Sequence, residues 1–150
     1  MKKKGTAMPH EEHTVTVDRP IGQVFAYLSD EENDPAWRSG IVEIKRVSPE
    51  GGEGATIRQV LRGPGGMKMR GDYRITAYQP PNRYEFQVIA GPARPAGRFA
   101  LAEDGPDRTT VTFSLDLEPK GMARLMAGQI TKQMRAEVGA LDKLKQNLEA

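Results

Sequence analysis

Val15 and Val17 alternate with Thr14 and Thr16, so residues 13–18 read as a short strand with one buried face. Pro20 suits the first turn of a helix, where its missing N–H costs nothing. Ile21, Val24, Phe25 and Leu28 follow at i, i+3, i+4 and i+7 and form one apolar stripe. Ser29 and Glu32 have the spacing of a capping box for a second short helix, from Asp30 to about Trp37.

From Ile41 the period becomes two. Strands are predicted over 41–47 and 55–62, then, past the turn Gly63-Pro64-Gly65-Gly66, over a long alternating segment. In that segment Met67, Met69, Tyr73, Ile75 and Ala77 share one face, and Lys68, Arg70, Asp72, Arg74 and Thr76 the other. Tyr84, Phe86 and Val88 continue the pattern beyond Gln79-Pro80-Pro81-Asn82. Residues 97–102 and a last strand bearing Thr109, Val111, Phe113, Leu115 and Leu117 complete it. Short turns between successive strands imply antiparallel pairing, because parallel pairs need long crossovers. After Pro119 the spacing returns to three and four through Met122, Met126, Ile130, Met134, Val138, Leu141, Leu144 and Leu148. One amphipathic helix of about 45 Å is expected, with a kink allowed near Gly128 or Gly139. The order is strand, two short helices, six strands, long helix: a single α+β domain over 12–150, behind a disordered tail over 1–11.

The 22 basic and 20 acidic residues nearly balance, at a net charge of +2, which argues against a nucleic-acid binder. With no cysteine, disulfides and thiol chemistry are excluded. No apolar run approaches the ~20 residues of a membrane span, and the basic N-terminus lacks a signal peptide's apolar stretch. The expected location is the cytoplasm, with peripheral membrane contact and oligomeric state left open.

Chemistry is thinly signposted. His10 and His13 are the only histidines, and they flank Glu11 and Glu12 without a third partner, so no metal is assigned. There is no nucleophile elbow and no phosphate loop, and no cofactor is assigned. Asp72 and Asp116 alternate with apolar positions and are expected to face solvent. Arg58, Arg62, Lys68, Arg70 and Arg74 fall on polar positions of neighbouring strands, with Tyr78 the one aromatic among them. That face reads as a charged exterior, and an anionic partner is the alternative.

The stretch Val15-Thr16-Val17-Asp18-Arg19-Pro20-Ile21-Gly22-Gln23-Val24-Phe25-Ala26-Tyr27-Leu28-Ser29-Asp30, continued by Pro35-Ala36-Trp37, resembles the opening of the polyketide cyclase/dehydrase-like branch of the START (SRPBCC) superfamily. The strand start Asp107-Arg108-Thr109-Thr110-Val111-Thr112 and the terminal helix are similar to it too. The resemblance implies a helix-grip fold, in which a seven-stranded curved antiparallel sheet wraps the C-terminal helix and encloses a cavity. It also implies that Trp37 stands beside the pocket mouth, buried between the short helices and the C-terminal one. Cyclases, lipid and sterol carriers, hormone receptors and chaperone activators share that fold, so function rests with the site.

The inward apolar set comprises Phe25, Trp37, Met67, Met69, Tyr73, Tyr84, Phe86, Phe99 and Phe113, with Met122, Leu125, Met126, Ile130 and Met134 from the helix. These residues either fill a solid core or line a ligand pocket. The methionines, which adapt to irregular contents, favour the pocket together with the resemblance. The expected partner is a small hydrophobic molecule, of lipid, polyketide or isoprenoid type. The alternatives are a cyclase or dehydratase acting in the same cavity and a chaperone-type interaction module.

Overall fold

The computed structural model describes residues 9–118 and 120–150, with the side chains of Pro64, Met122 and Ala123 outside the description. Residues 1–8 of the expected tail also lie outside the described residues. The first strand, β1 (His10–Val17), starts inside the tail expected over 1–11 and pairs along its whole length with the last, β8 (Thr109–Asp116). Helix α1 (Ile21–Leu28) buries Val24, Phe25 and Leu28, as its stripe dictates.

The second short helix differs in its start. A 3-10 turn (Glu31–Asn33) leads into α2 (Asp34–Trp37), and the cap is Asp30, whose carboxylate accepts from the Glu32 N–H at 3.0 Å. Ser29 is spent elsewhere: its hydroxyl donates to the Phe25 carbonyl, closing the last turn of α1.

The remaining strands are β2 (Ile41–Arg46), β3 (Thr56–Arg62), β4 (Lys68–Arg70), β5 (Tyr73–Gln79), β6 (Arg83–Val88) and β7 (Ala96–Glu103). Every described pairing is antiparallel, in the order β1-β8-β7-β6-β5-β3-β2, with β4 added on β3. β4 and β5 are the two halves of the one segment expected from the alternation, and both pair with β3. Counted together they leave a curled sheet of seven strands. The fold is the α+β helix grip.

Three local departures follow from the interruptions. Met67 is 69% exposed, because the chain is still turning there: the Gly63 N–H donates to the Met67 carbonyl, and alternation begins only at Lys68. Asp72 is largely covered rather than solvated, since Arg70 lies across it and its carboxylate accepts from the Gln59 N–H. A bulge between Ile75 and Ala77 sets Tyr78 opposite the inward Tyr84, so the Tyr78 ring meets Phe25 edge-on at 5.4 Å instead of joining the basic face.

The C-terminal segment is helical but not one rod. It divides into α3 (Met122–Leu125), α4 (Ala127–Gly139) and α5 (Leu141–Glu149), with breaks at Met126 and Ala140. Met126 leaves helical geometry at φ −106° and ψ 16°, so the stripe of α4 is not transmitted back into α3. Leu125 is consequently 83% exposed. Ile130, Met134, Val138, Leu141, Leu144 and Leu148 are buried against the sheet and the α1–α2 corner.

Candidate functional site

Where α4 crosses the concave face of the sheet, the core is not filled. A cavity of about 250 Å³ lies there, walled by Leu61, Met69, Phe86, Val88, Ala93, Pro95 and Leu115 and roofed by Ile130 and Met134. A second, tighter recess of about 20 Å³ is bounded by Leu28, Asp34, Trp37, Tyr73, Tyr84, Phe99 and Phe113. Arg38, Gln59 and Phe86 border both. A wider groove of about 770 Å³ lies between Asp30, Glu31 and Glu32 on one side and Lys45 and Arg46 on the other, over Ile44, Ile57, Ile75 and Tyr78.

The strands explain the apolar walls. Phe86 can reach the cavity because its cross-strand partner is Gly97, where a Cβ would stand 2.2 Å from the ring. Phe99 stacks on Phe113 at 4.1 Å between centroids and meets Trp37 edge-on at 6.2 Å, which fixes the floor of the recess.

The polar end is built by three distant stretches of chain. Arg38, just past α2, binds Asp34 one turn back through Nη1 at 2.8 Å. Its Nη2 binds Glu137 of α4 at 2.6 Å, tying the helix to the corner. Gln59, on the inward side of β3, donates its amide N–H to the Gly71 carbonyl at 3.0 Å, in the interval between β4 and β5. Burial pushes the Asp34 carboxyl up to about 6 against the pull of Arg38, while its two carboxylate neighbours hold the Arg38 guanidinium protonated. Burial likewise raises the phenols of Tyr73 and Tyr84, which stay protonated at neutral pH. The recess thus offers hydroxyl donors, a carboxyl that titrates near neutrality, and a fixed cation.

Of the residues expected inside, Met69, Phe86, Ile130 and Met134 border the cavity, and Trp37, Tyr73, Tyr84, Phe86, Phe99 and Phe113 the recess. Trp37 is buried at 3% exposure and borders the recess. Phe25 packs in the core with Tyr78 and Tyr84, and Met126 is half-buried against the core; neither borders the cavity. Met67 and Leu125 point to solvent, and the Met122 side chain lies outside the described residues. Asp34, Arg38, Gln59 and Glu137 were not anticipated. The i, i+4 spacing of Asp34 and Arg38, and a glutamine in phase with Ile57 on β3, are the signals that could have pointed to them.

Of the expected basic face, Arg62 and Arg70 border the cavity, Arg70 while binding Asp72 at 2.6 Å, and Arg58 binds Glu43 at 2.9 Å. His10 and His13 bind Asp116 and Asp142, and no group of three metal-ligating side chains occurs among the described residues. Among them too, no helix is long and apolar enough to cross a membrane.

A family model described as polyketide cyclase / dehydrase and lipid transport matches residues 8–149. The chain belongs to that family. No curated protein matches it. Similar solved structures include one from Thermus thermophilus, at 20% identity and a TM-score of 0.78, covering 93% of this chain and 97% of the other. A START superfamily protein from Mycobacterium smegmatis is 20% identical, with a TM-score of 0.69 and coverage of 93% and 98%. The Zhui aromatase/cyclase from a Streptomyces species is 17% identical, with a TM-score of 0.75 and coverage of 95% and 94%. At such identities these likenesses establish the fold that this member of the polyketide cyclase / dehydrase and lipid transport family shares, and leave its ligand to the site.

Proposed function

We propose that the protein binds one compact, mostly apolar molecule in the cavity between the sheet and α4, as a carrier or receptor. The observation behind this reading is the cavity itself, with mostly apolar walls, Arg38 and Gln59 at its border with the recess, and Arg62, Arg70 and Gln133 also on its edge. Its volume of about 250 Å³ lies just below the ~300–1,000 Å³ usual for pockets of drug-sized ligands, which favours a one- or two-ring compound over a diacyl lipid.

The neutral dye N-phenyl-1-naphthylamine tests this. Its fluorescence should rise saturably with one site per chain, and Met134→Trp, which fills the roof, should abolish the rise without altering the far-ultraviolet circular dichroism. Non-saturable binding, or equal binding by the folded variant, would remove the cavity from consideration.

A second reading, a cyclase or dehydratase, is favoured by one feature. The Asp34 carboxyl, raised to about 6, shares the recess with two protonated phenols, as acid–base work at neutral pH requires. Loss of turnover without loss of binding on removing either phenol hydroxyl would distinguish it.

A further inference from the structure

Three fully buried polar atoms beside the recess have no hydrogen-bond partner among the described residues: Asp34 Oδ1, Trp37 Nε1 and Gln59 Oε1. Native interiors leave few such atoms, and here three of them belong to side chains lining one recess. The other ends of two are held. Asp34 Oδ2 accepts from Arg38, and the Gln59 amide N–H is spent on the Gly71 carbonyl, which leaves Oε1 as the free end. The indole N–H can only donate, so the unmatched set is two acceptors and one donor.

Charge narrows the guest further. Arg38 is shared between Asp34 and Glu137, so with both acids ionised the cluster carries one negative charge in excess. A carboxylate would bring a third anion into a dry site and no proton to donate. A ketone would meet the indole but leave both acceptors unmatched. A neutral hydroxyl donates one proton and accepts another, and so meets an acceptor and the indole together.

We propose that the recess is the recognition subsite for an uncharged, hydroxyl-bearing end of the ligand, which donates to Asp34 or Gln59 and accepts from Trp37, and that it rejects carboxylates. The inference rests on the cavity-binding reading above and specifies which molecules that cavity selects. The apolar body occupies the larger cavity, and the hydroxyl reaches past the shared border at Gln59 and Phe86.

Three probes of one shape test it: naphthalene, 2-naphthol and 2-naphthoate, titrated into the wild-type protein at pH 7.5. The expected order is 2-naphthol tightest, by about tenfold or more over naphthalene, with 2-naphthoate weakest. Trp37→Phe and Gln59→Met should each shrink the naphthol-to-naphthalene ratio. Should either variant fail to fold, the wild-type series decides alone. A naphthol no tighter than naphthalene, a naphthoate that matches naphthol, or a ratio unchanged in folded variants overturns the subsite and leaves the cavity standing. Failure of all three probes to bind overturns the cavity reading and the subsite with it.

Discussion

Tyr73 and Tyr84 concentrate the choice between binder and enzyme in two hydroxyl groups. Both rings are buried, and desolvation keeps both phenols protonated, so each can donate a proton but is not a phenolate base. Replacing either by Phe keeps the ring and its apolar area. If the hydroxyl is only part of a wall, the loss is about 0.5–1.5 kcal/mol, or roughly tenfold in affinity at most. A general acid contributes about 10²–10⁴-fold in rate. We expect Tyr73→Phe and Tyr84→Phe to weaken the neutral dye by no more than that tenfold. A variant that keeps its affinity for an identified substrate yet loses turnover a hundredfold would establish the cyclase reading instead. At this scale the sequence was partly legible. Tyr73, Tyr84, Phe86 and Met134 are inward by periodicity alone, whereas nothing local distinguishes Glu137 from the other charged positions of α4 as the one that reaches Arg38.

Elements meet in register, and the β6–β7 pair shows what register does for the cavity. Gly97 faces Phe86 across the ladder, and the ring lies where a Gly97 side chain would be, with three ring carbons within 2.8 Å of the ideal Cβ position. A ring cannot yield as a flexible chain end does, so Gly97→Ala must turn Phe86 away or part the strands. Overpacking of this kind costs about 1–3 kcal/mol. The displaced ring borders both cavity and recess, so dye affinity should fall along with the melting temperature. An alanine variant with wild-type melting temperature and affinity would refute the account of how the cavity is kept open. Element type was legible wherever a period ran for several residues. The ends were not: Gly71 falls in phase with Met69 and Tyr73, so two strands read as one, and the break at Met126 is invisible to a pattern that continues through it.

Across the whole molecule the C-terminal helices are fastened to the edge strand β1. His13 binds Asp142 at 2.8 Å, Arg135 binds Glu11, and the Glu149 carboxylate accepts from the Asp18 N–H while bound to Lys145. Arg38–Glu137 fastens the opposite side, so the buried ion cluster enters the global stability. A carboxyl whose value rises from 3.8 to about 6 binds its proton more tightly folded than unfolded. Its contribution is therefore fully present below 3.8 and is lost as pH rises to about 6, a change on the order of 3 kcal/mol. Asp34→Asn is neutral throughout. Its stability relative to wild type should climb between pH 4 and 6.5 and then level off, as read from urea unfolding at each pH. A difference that stays flat across that window would show that Asp34 is ionised as easily in the fold as in the unfolded chain.

The sequence by itself determined the fold class, the antiparallel order and the inward face of nearly every element. Alternation at two and spacing at three to four report directly which side of a strand or helix leaves water. It also identified the family, because the Pro-started Val-Phe helix and the following Trp37 stand close together in the chain. Only the tertiary structure decided the site. Periodicity says that a face is buried but not against what, nor whether the enclosed space is filled. Met67 went to solvent because the backbone had not yet entered the strand, and Leu125 because the break at Met126 separates its helix from the buried stripe of α4. The polar end depends on Asp34 and Glu137 meeting on one guanidinium, with Gln59 lining the same recess as Asp34, all from separate stretches of chain. No local pattern encodes that meeting, because a buried charge is tolerable only once packing has brought it a partner.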